Sequence, residues 1–329
     1  MMAVVAAIPA FLLVLVFMPP LIRILKERQH GQTIYELGPQ AHLSKKGTPN
    51  MGGLLIASAC VVVSLVFAFI KGVAWQMLPM LLAALAAMAV GFVDDYHKNI
   101  KKEHEGLRPK QKLMGQVLAG LLFSMYCYTR IGSDIHLPFS SRTWDLGILY
   151  IPLMTLLYMF MINSANLQDG ADGLLSSVTV VGAIAFGVIA LAISPLFAVV
   201  DGMAPAILSF ALAGACAGFF VFNRYPAKIF MGDTGSMFIG GAVTAVAMVL
   251  GLQFWLLPIA FTMIMSSVSV IMQRLYFKAT HGKRIFKMSP IHHHFELSGM
   301  KENQIVRMYA LVTLVLSVLA ALMAIPLMG

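Results

Sequence analysis

The segment GFVDDYHKN (91–99) sets two adjacent carboxylates, Asp94 and Asp95, directly after an uncharged run from Gly72 to Val93. Acids at a helix C-terminus work against the dipole at about 0.3–1 kcal/mol each, and these two also repel each other. Lys98, four residues beyond Asp94, can offset part of that cost. One lysine neutralises one acid, so a divalent cation explains the pair better. Mg2+ favours one or two carboxylates completed by substrate phosphates.

Four further clusters have the same character. In NSANLQDGADGLLS (163–176), Asn163, Asn166, Asp169 and Asp172 interrupt apolar chain, and polar groups this close to lipid are costly unless they function. Asp172 can serve as the N-cap of the next helix. FNRYPAKIFMGDTGSM (222–237) carries Asn223, Phe230 and Asp233. Its Asp-Thr-Gly-Ser opens a helix whose N–H groups can receive an anion, or Asp233 is a plain cap. Phe230 is either an interfacial aromatic or a surface on which a base stacks. His292, His293 and His294 lie within 281–304. Sequence neighbours do not share a helix face, which makes them a poor single zinc site, but imidazoles can bond phosphate oxygens near neutral pH. GPQAHLSKKGTPNMGG (38–53) adds Lys45, Lys46 and a glycine-rich turn.

The elements that must position these clusters are membrane spans. The chain has 329 residues, 59% hydrophobic and 11% charged, with a mean hydropathy of +0.84, against roughly 25% charged in soluble domains. Uncharged runs at 3–22, 51–70, 72–93, 113–129, 146–168, 173–200, 202–223, 234–273 and 308–329 are continuous, which predicts helices rather than a barrel. The run 234–273 is long enough for two spans of about 20 residues, turning near Gly251-Leu252-Gln253. The expectation is an all-α polytopic protein of ten transmembrane helices forming one integral membrane domain, 1–329. The first run reads as a span rather than a cleaved signal. Pro258 and Ser266-Ser267-Val268-Ser269 can bend span nine, opening an apolar groove for a lipid. Cys60, Cys127 and Cys216 lie inside spans with no paired spacing.

Of 23 Lys and Arg, only Lys71, Arg130 and Arg142 fall on one side of this topology. The positive-inside rule therefore places the other connections, 23–50, 94–112, 164–173, 224–235 and 274–307, in the cytoplasm and both termini outside. All five polar clusters then face the cytoplasm. The +9 formal charge on that face favours lipid headgroups or phosphorylated substrates, and no nucleic-acid partner is expected. A transporter would hold its polar groups near the midplane within repeats; here they lie at one edge, and no repeat is evident.

The segments KGTPNMGG, GFVDDYHK, NSANLQDGADGL, FNRYPAKIFMGDTGS and SPIHHHFE together resemble the phospho-N-acetylmuramoyl-pentapeptide-transferase family, within the polyprenyl-phosphate N-acetylhexosamine-1-phosphate transferases. The resemblance implies a bacterial inner-membrane enzyme of peptidoglycan synthesis, with Mg2+ as cofactor. It would move phospho-MurNAc-pentapeptide from UDP-MurNAc-pentapeptide to undecaprenyl phosphate, giving lipid I and UMP. It implies Asp94, Asp95 and Asp233 as catalytic-centre acids and metal ligands, Asp233 most directly. Asn163, Asn166, Asp169, Asp172, Asn223 and Phe230 would line the nucleoside and diphosphate site. Lys46, Lys98, Lys110, His292 and His293 would contact phosphate or sugar. It also implies a homodimer in the lipid bilayer. Asn50, Gln168 and Ala171 depart from the family pattern. A related transferase using UDP-GlcNAc is the alternative.

Overall fold

The computed structural model describes residues 2–27, 47–99, 106–193 and 202–327. Lipid offers backbone groups no partners, so the apolar runs close their hydrogen bonds internally as helices. In order these are α1 (Met2–Val5), α2 (Ala7–Glu27), α3 (Gly53–Lys71), α4 (Ala74–Asn99), α5 (Pro109–Arg130), α6 (Tyr150–Gln168) and α7 (Leu174–Ile193). They continue with α8 (Met203–Asn223), α9 (Gly232–Val249), α10 (Leu256–Ile259), α11 (Phe261–Ala279), α12 (Ile291–Glu296) and α13 (Glu302–Ala324). The all-α polytopic expectation holds, with one addition. Within 130–145 the chain forms a hairpin, β1 (Asp134–His136) against β2 (Thr143–Asp145), with Ile135 opposite Trp144.

Helix α9 is the axis of the bundle. Every residue from Thr234 to Val249 is buried, and α3, α4 and α6 pack around it. Its small residues permit that closeness. A Cβ on Gly91 of α4 would collide with the Asp233 carbonyl, so glycine there lets the acidic end of α4 meet the N-terminus of α9.

Among the described residues eight helices are long and apolar enough to cross a membrane, counting Met2–Glu27 as one. A ninth follows if Gln253–Ile259 and Phe261–Ala279, which meet at 86°, form one broken span. The turn after α9 falls at Gly251, as its sequence suggests. The break before α11 comes two residues after Pro258. The serines expected to bend this span also reach beyond it. Ser267 Oγ bonds Ser164 Oγ on α6 at 2.8 Å, and Ser269 Oγ accepts from Ile291 N at 3.0 Å, tying α11 to α6 and to the histidine helix.

The bundle has two different ends. One carries the hairpin, where His136 N donates to Gly251 O and Phe139 N to Met323 O near the end of α13. The other gathers the acids, amides and histidines.

Candidate active site

Helix geometry alone brings Asp94 and Asp95 to the last turns of α4, and both are only 2% exposed. Their surroundings show which protein groups offset the charge problem posed by the sequence. Lys98 Nζ lies 2.6 Å from Asp94 Oδ2 and 3.3 Å from Asp233 Oδ2. Lys112 Nζ lies 2.7 Å from Asp233 Oδ2 and 3.4 Å from Asp94 Oδ2. Two ammonium groups thus bridge two carboxylates, and Leu107 N donates to Asp94 Oδ1 at 2.8 Å. Asp95 instead holds the start of α9. It accepts from Asp233 N at 3.2 Å, Thr234 N at 2.8 Å and Thr234 Oγ1 at 2.6 Å. Lysines on one side and a helix N-terminus on the other thus each offset part of the charge of the acid pair.

Lys112 was not anticipated. The resemblance points to Lys110, which is exposed and has no side-chain partner among the described residues. The signal was present in α5, where Lys112, Gln116, Ala119, Gly120 and Phe123 recur at helical spacing. Four of these are buried, and Lys112 ends the same inward face. Gln116 holds Asn163 from that face, with Asn163 Nδ2 donating to Gln116 Oε1 at 2.8 Å.

The third and fourth clusters interlock. Asn166 Nδ2 donates to Asp233 Oδ1 at 2.7 Å and to Ser236 Oγ at 3.0 Å. Asn223 is buried; it accepts from Gly173 N at 3.0 Å and donates to Ile229 O at 3.0 Å. Asp172 Oδ2 accepts from Ala227 N at 2.9 Å, across to the fourth connection. Pro49 O accepts from Phe230 N and Phe230 O from Gly52 N, at 2.8 and 2.9 Å, so the glycine-rich turn is stitched to Phe230. Lys46 lies outside the described residues.

The histidines close the other side. His292 is 1% exposed, and its ring lies 4.2 Å from that of His293. A Cβ on Gly170 would collide with His292 Nε2, so glycine beside Asp169 admits the imidazole. His293 Nδ1 pairs with Glu296 at 3.2 Å. All five clusters thus meet at one end of the bundle, apart from the residues outside the description.

Asp169 stands apart electrostatically. It is the C-cap residue of α6, where a negative charge opposes the dipole. Burial pushes its carboxyl well above the usual carboxylate range, and the nearby charges of Asp233, Asp95 and Asp172 push it further. No cation or hydrogen-bond donor faces its side chain among the described residues. Beside it, Gln168 is fully buried with both amide atoms unpartnered. Buried polar groups seldom go unsatisfied, so the Gln168 amide and the Asp169 carboxylate beside it offer polar atoms to a ligand. Among the described residues no three His, Cys, Asp or Glu side chains converge as metal ligands. The fit for a cation rests on the hard oxygen of Asp169, with Asp233 beside it, and suits an ion that takes one or two carboxylates and completes its shell elsewhere.

Comparison with known proteins agrees with this geometry. The model of glycosyl transferase family 4 matches residues 77–251, from α4 through α9. The chain is 40% identical over 324 residues to a phospho-N-acetylmuramoyl-pentapeptide-transferase of Caldicellulosiruptor bescii, covering 97% of each chain. It is 40% identical to one from Listeria monocytogenes, covering 90% of each. It is 39% identical to one from Clostridium botulinum, covering 95% of this chain and 94% of that protein. The chain belongs to glycosyl transferase family 4 and, within it, to the phospho-N-acetylmuramoyl-pentapeptide-transferase family.

Proposed function

We propose that the chain transfers phospho-MurNAc-pentapeptide from UDP-MurNAc-pentapeptide to undecaprenyl phosphate, releasing UMP and forming lipid I. The observation that carries this reading is the meeting of five polar clusters at one end of the bundle, where the carboxylate of Asp169 lacks a positive partner among the described residues. Asp169 and Asp233 would hold Mg2+, which neutralises diphosphate charge and stabilises the departing UMP. Lys98 and Lys112 sit close enough to both Asp94 and Asp233 to turn from carboxylate to phosphate oxygens when a diphosphate enters. Asp95 acts through α9, fixing where Asp233 stands. Asn166 holds the second oxygen of Asp233, while Asn163 ties α6 to α5 and Asn223 ties the third connection to the fourth. His292 and His293, across Gly170, face the sugar phosphate, and Phe230 offers its ring to uracil.

The acceptor is a phosphate monoester with a second pKa near ~6, so at neutral pH it is largely dianionic and needs no base. A single in-line displacement follows: an acceptor oxygen bonds the sugar-linked phosphorus as the bond to UMP breaks. UMP exchange into the nucleotide sugar without acceptor would overturn this in favour of a covalent aspartyl step.

The same reading places ten spans in one domain. They are the eight, the broken pair and α5, whose 22 residues reach about 33 Å at 1.5 Å per residue. The acid end faces the cytoplasm of a bacterial inner membrane, the ends of the chain face outward, and the enzyme works as a homodimer.

The test is UMP release by purified protein given undecaprenyl phosphate and Mg2+. Release is expected with UDP-MurNAc-pentapeptide and not with UDP-GlcNAc, and chelation with EDTA should stop it. The reverse sugar preference, or turnover that survives EDTA, overturns the assignment. In the same assay Lys110→Gln is expected to stay within about 3-fold of the parent. Lys112→Gln should lose about 30-fold in kcat/KM, the equivalent of ~2 kcal/mol of transition-state charge stabilisation. Equal losses would return Lys110 to the site.

A further inference from the structure

At the end of α11 the chain builds a second place for an anion, lined by none of the acids of the first. Arg274, Phe277 and Lys278 share one face of the helix at i, i+3 and i+4. The chain then reverses at His281 and Gly282, with φ of 52° and 118°. The buried amide of Gln273 draws the returning strand back. Its Oε1 accepts from Ile285 N and Phe286 N, both at 3.0 Å, and its Nε2 donates to Phe286 O at 2.8 Å. Arg284 is thereby carried across from Arg274 and Lys278. Met288 and Ser289 complete a cleft of about 420 Å³.

No acid lines this cleft, and none of its three cations has a side-chain ion pair or hydrogen bond among the described residues. Like charges gathered by a dedicated amide clamp repel one another until an anion joins them, and guanidinium groups match phosphate oxygens in geometry. The neighbouring face of α11 identifies what carries the phosphate. Ile271 and Leu275 are 48% and 65% exposed, a surface suited to acyl chains rather than water. Basic pockets at a membrane edge are where anionic headgroups lodge. The acceptor's phosphate, by contrast, must reach Asp169 and Asp233, which no residue of the cleft contacts.

We propose that this cleft binds the phosphodiester headgroup of an anionic phospholipid from the surrounding leaflet. Ser289 lies two residues before Ile291, whose N–H is held by Ser269 of α11. An occupied cleft therefore steadies the α11–α12 junction that carries His292 and His293. The proposal stands independently of the substrate assignment.

The test is native mass spectrometry of the full chain in detergent, titrated with phosphatidylglycerol or with phosphatidylcholine of the same acyl chains. Phosphatidylglycerol is expected to bind preferentially. The Arg274→Gln/Arg284→Gln variant should weaken it about 30-fold, at ~1 kcal/mol for each basic group, with phosphatidylcholine binding unchanged. The melting temperature without added lipid should not fall, since these side chains are exposed and have no side-chain partner among the described residues. If that variant does not fold, Lys278→Gln is read the same way, with about 5-fold expected. An undiminished preference in the variant overturns the proposal. So does displacement of the lipid by millimolar inorganic phosphate, which makes the cleft a simple anion site. Stoichiometric displacement by undecaprenyl phosphate also overturns it, because the cleft would then belong to the acceptor.

Discussion

Asp169→Asn is expected to abolish most transfer while making the protein harder to unfold. The two effects have one cause. Asp169 caps the C-terminus of α6 and faces Asp233, Asp95 and Asp172, and nothing positive answers it among the described residues. An amide removes that repulsion and keeps the shape, so the melting temperature should rise, by about 2 °C for each kcal/mol relieved in a chain of this size. The same change removes the oxygen best suited to a cation, and a loss of about 10²–10³-fold in kcat is expected, the scale for deleting one preorganised electrostatic group. The pH dependence follows from the direction of the shift. A carboxyl whose folded pKa lies above its unfolded value of about 3.9 binds its proton more tightly in the folded state. The parent therefore loses stability as pH rises from the unfolded value through the folded one. Asparagine does not titrate, so the advantage of the variant grows as pH rises from about 4 towards neutrality and disappears below about pH 4. Melting curves at both ends of that window check it. A variant that is less stable at pH 7 and still active would show Asp169 to be an ordinary loop acid.

The spans were legible because composition and run length nearly determine them in a bilayer. Even the turn at Gly251 could be read, since 40 uncharged residues cannot form one span. The hairpin at 134–145 could not. Its strands are three residues each, β2 is wholly exposed, and no alternation marks them. At the site, the residue types carried the chemistry: acids, amides and histidines beside lipid need a reason, and they do converge. The partners did not show in the types. Lys98 was visible because it sits one helical turn from Asp94. Lys112 reaches the same carboxylate across 18 residues, and only the inward face of α5 distinguishes it from Lys110. Asp95 and Asp233 look alike in sequence, yet one anchors the α9 N-terminus and the other faces two lysines and an asparagine. That division depends on Gly91, whose missing side chain sets the approach of two helices far apart in the chain.

Removing both lysines should cost the most stability of any change at this end of the molecule. Lys98→Gln/Lys112→Gln leaves Asp94, 2% exposed, and Asp233, 19% exposed, facing each other with no cation between them. Stranding buried charge in this way costs about 3–5 kcal/mol. The larger share falls to Lys112, because Lys98 is 42% exposed and solvent screens its pairing. Each single variant leaves one ammonium bridging both acids, so the singles should sum to clearly less than the double. Adding Asp94→Asn to the double variant is then expected to restore most of the melting temperature. The remaining Asp233 keeps its bond from Asn166, and the amide oxygen at 94 still receives Leu107 N. Activity should not return, since the lysines that would meet a diphosphate are gone. Stability and turnover would then separate in one set of variants, assigning the lysines two roles: neutralising the acids in the resting protein and meeting phosphate in the working one. If Asp94→Asn instead adds its own loss to that of the double variant, the lysines were not what made the acid pair tolerable.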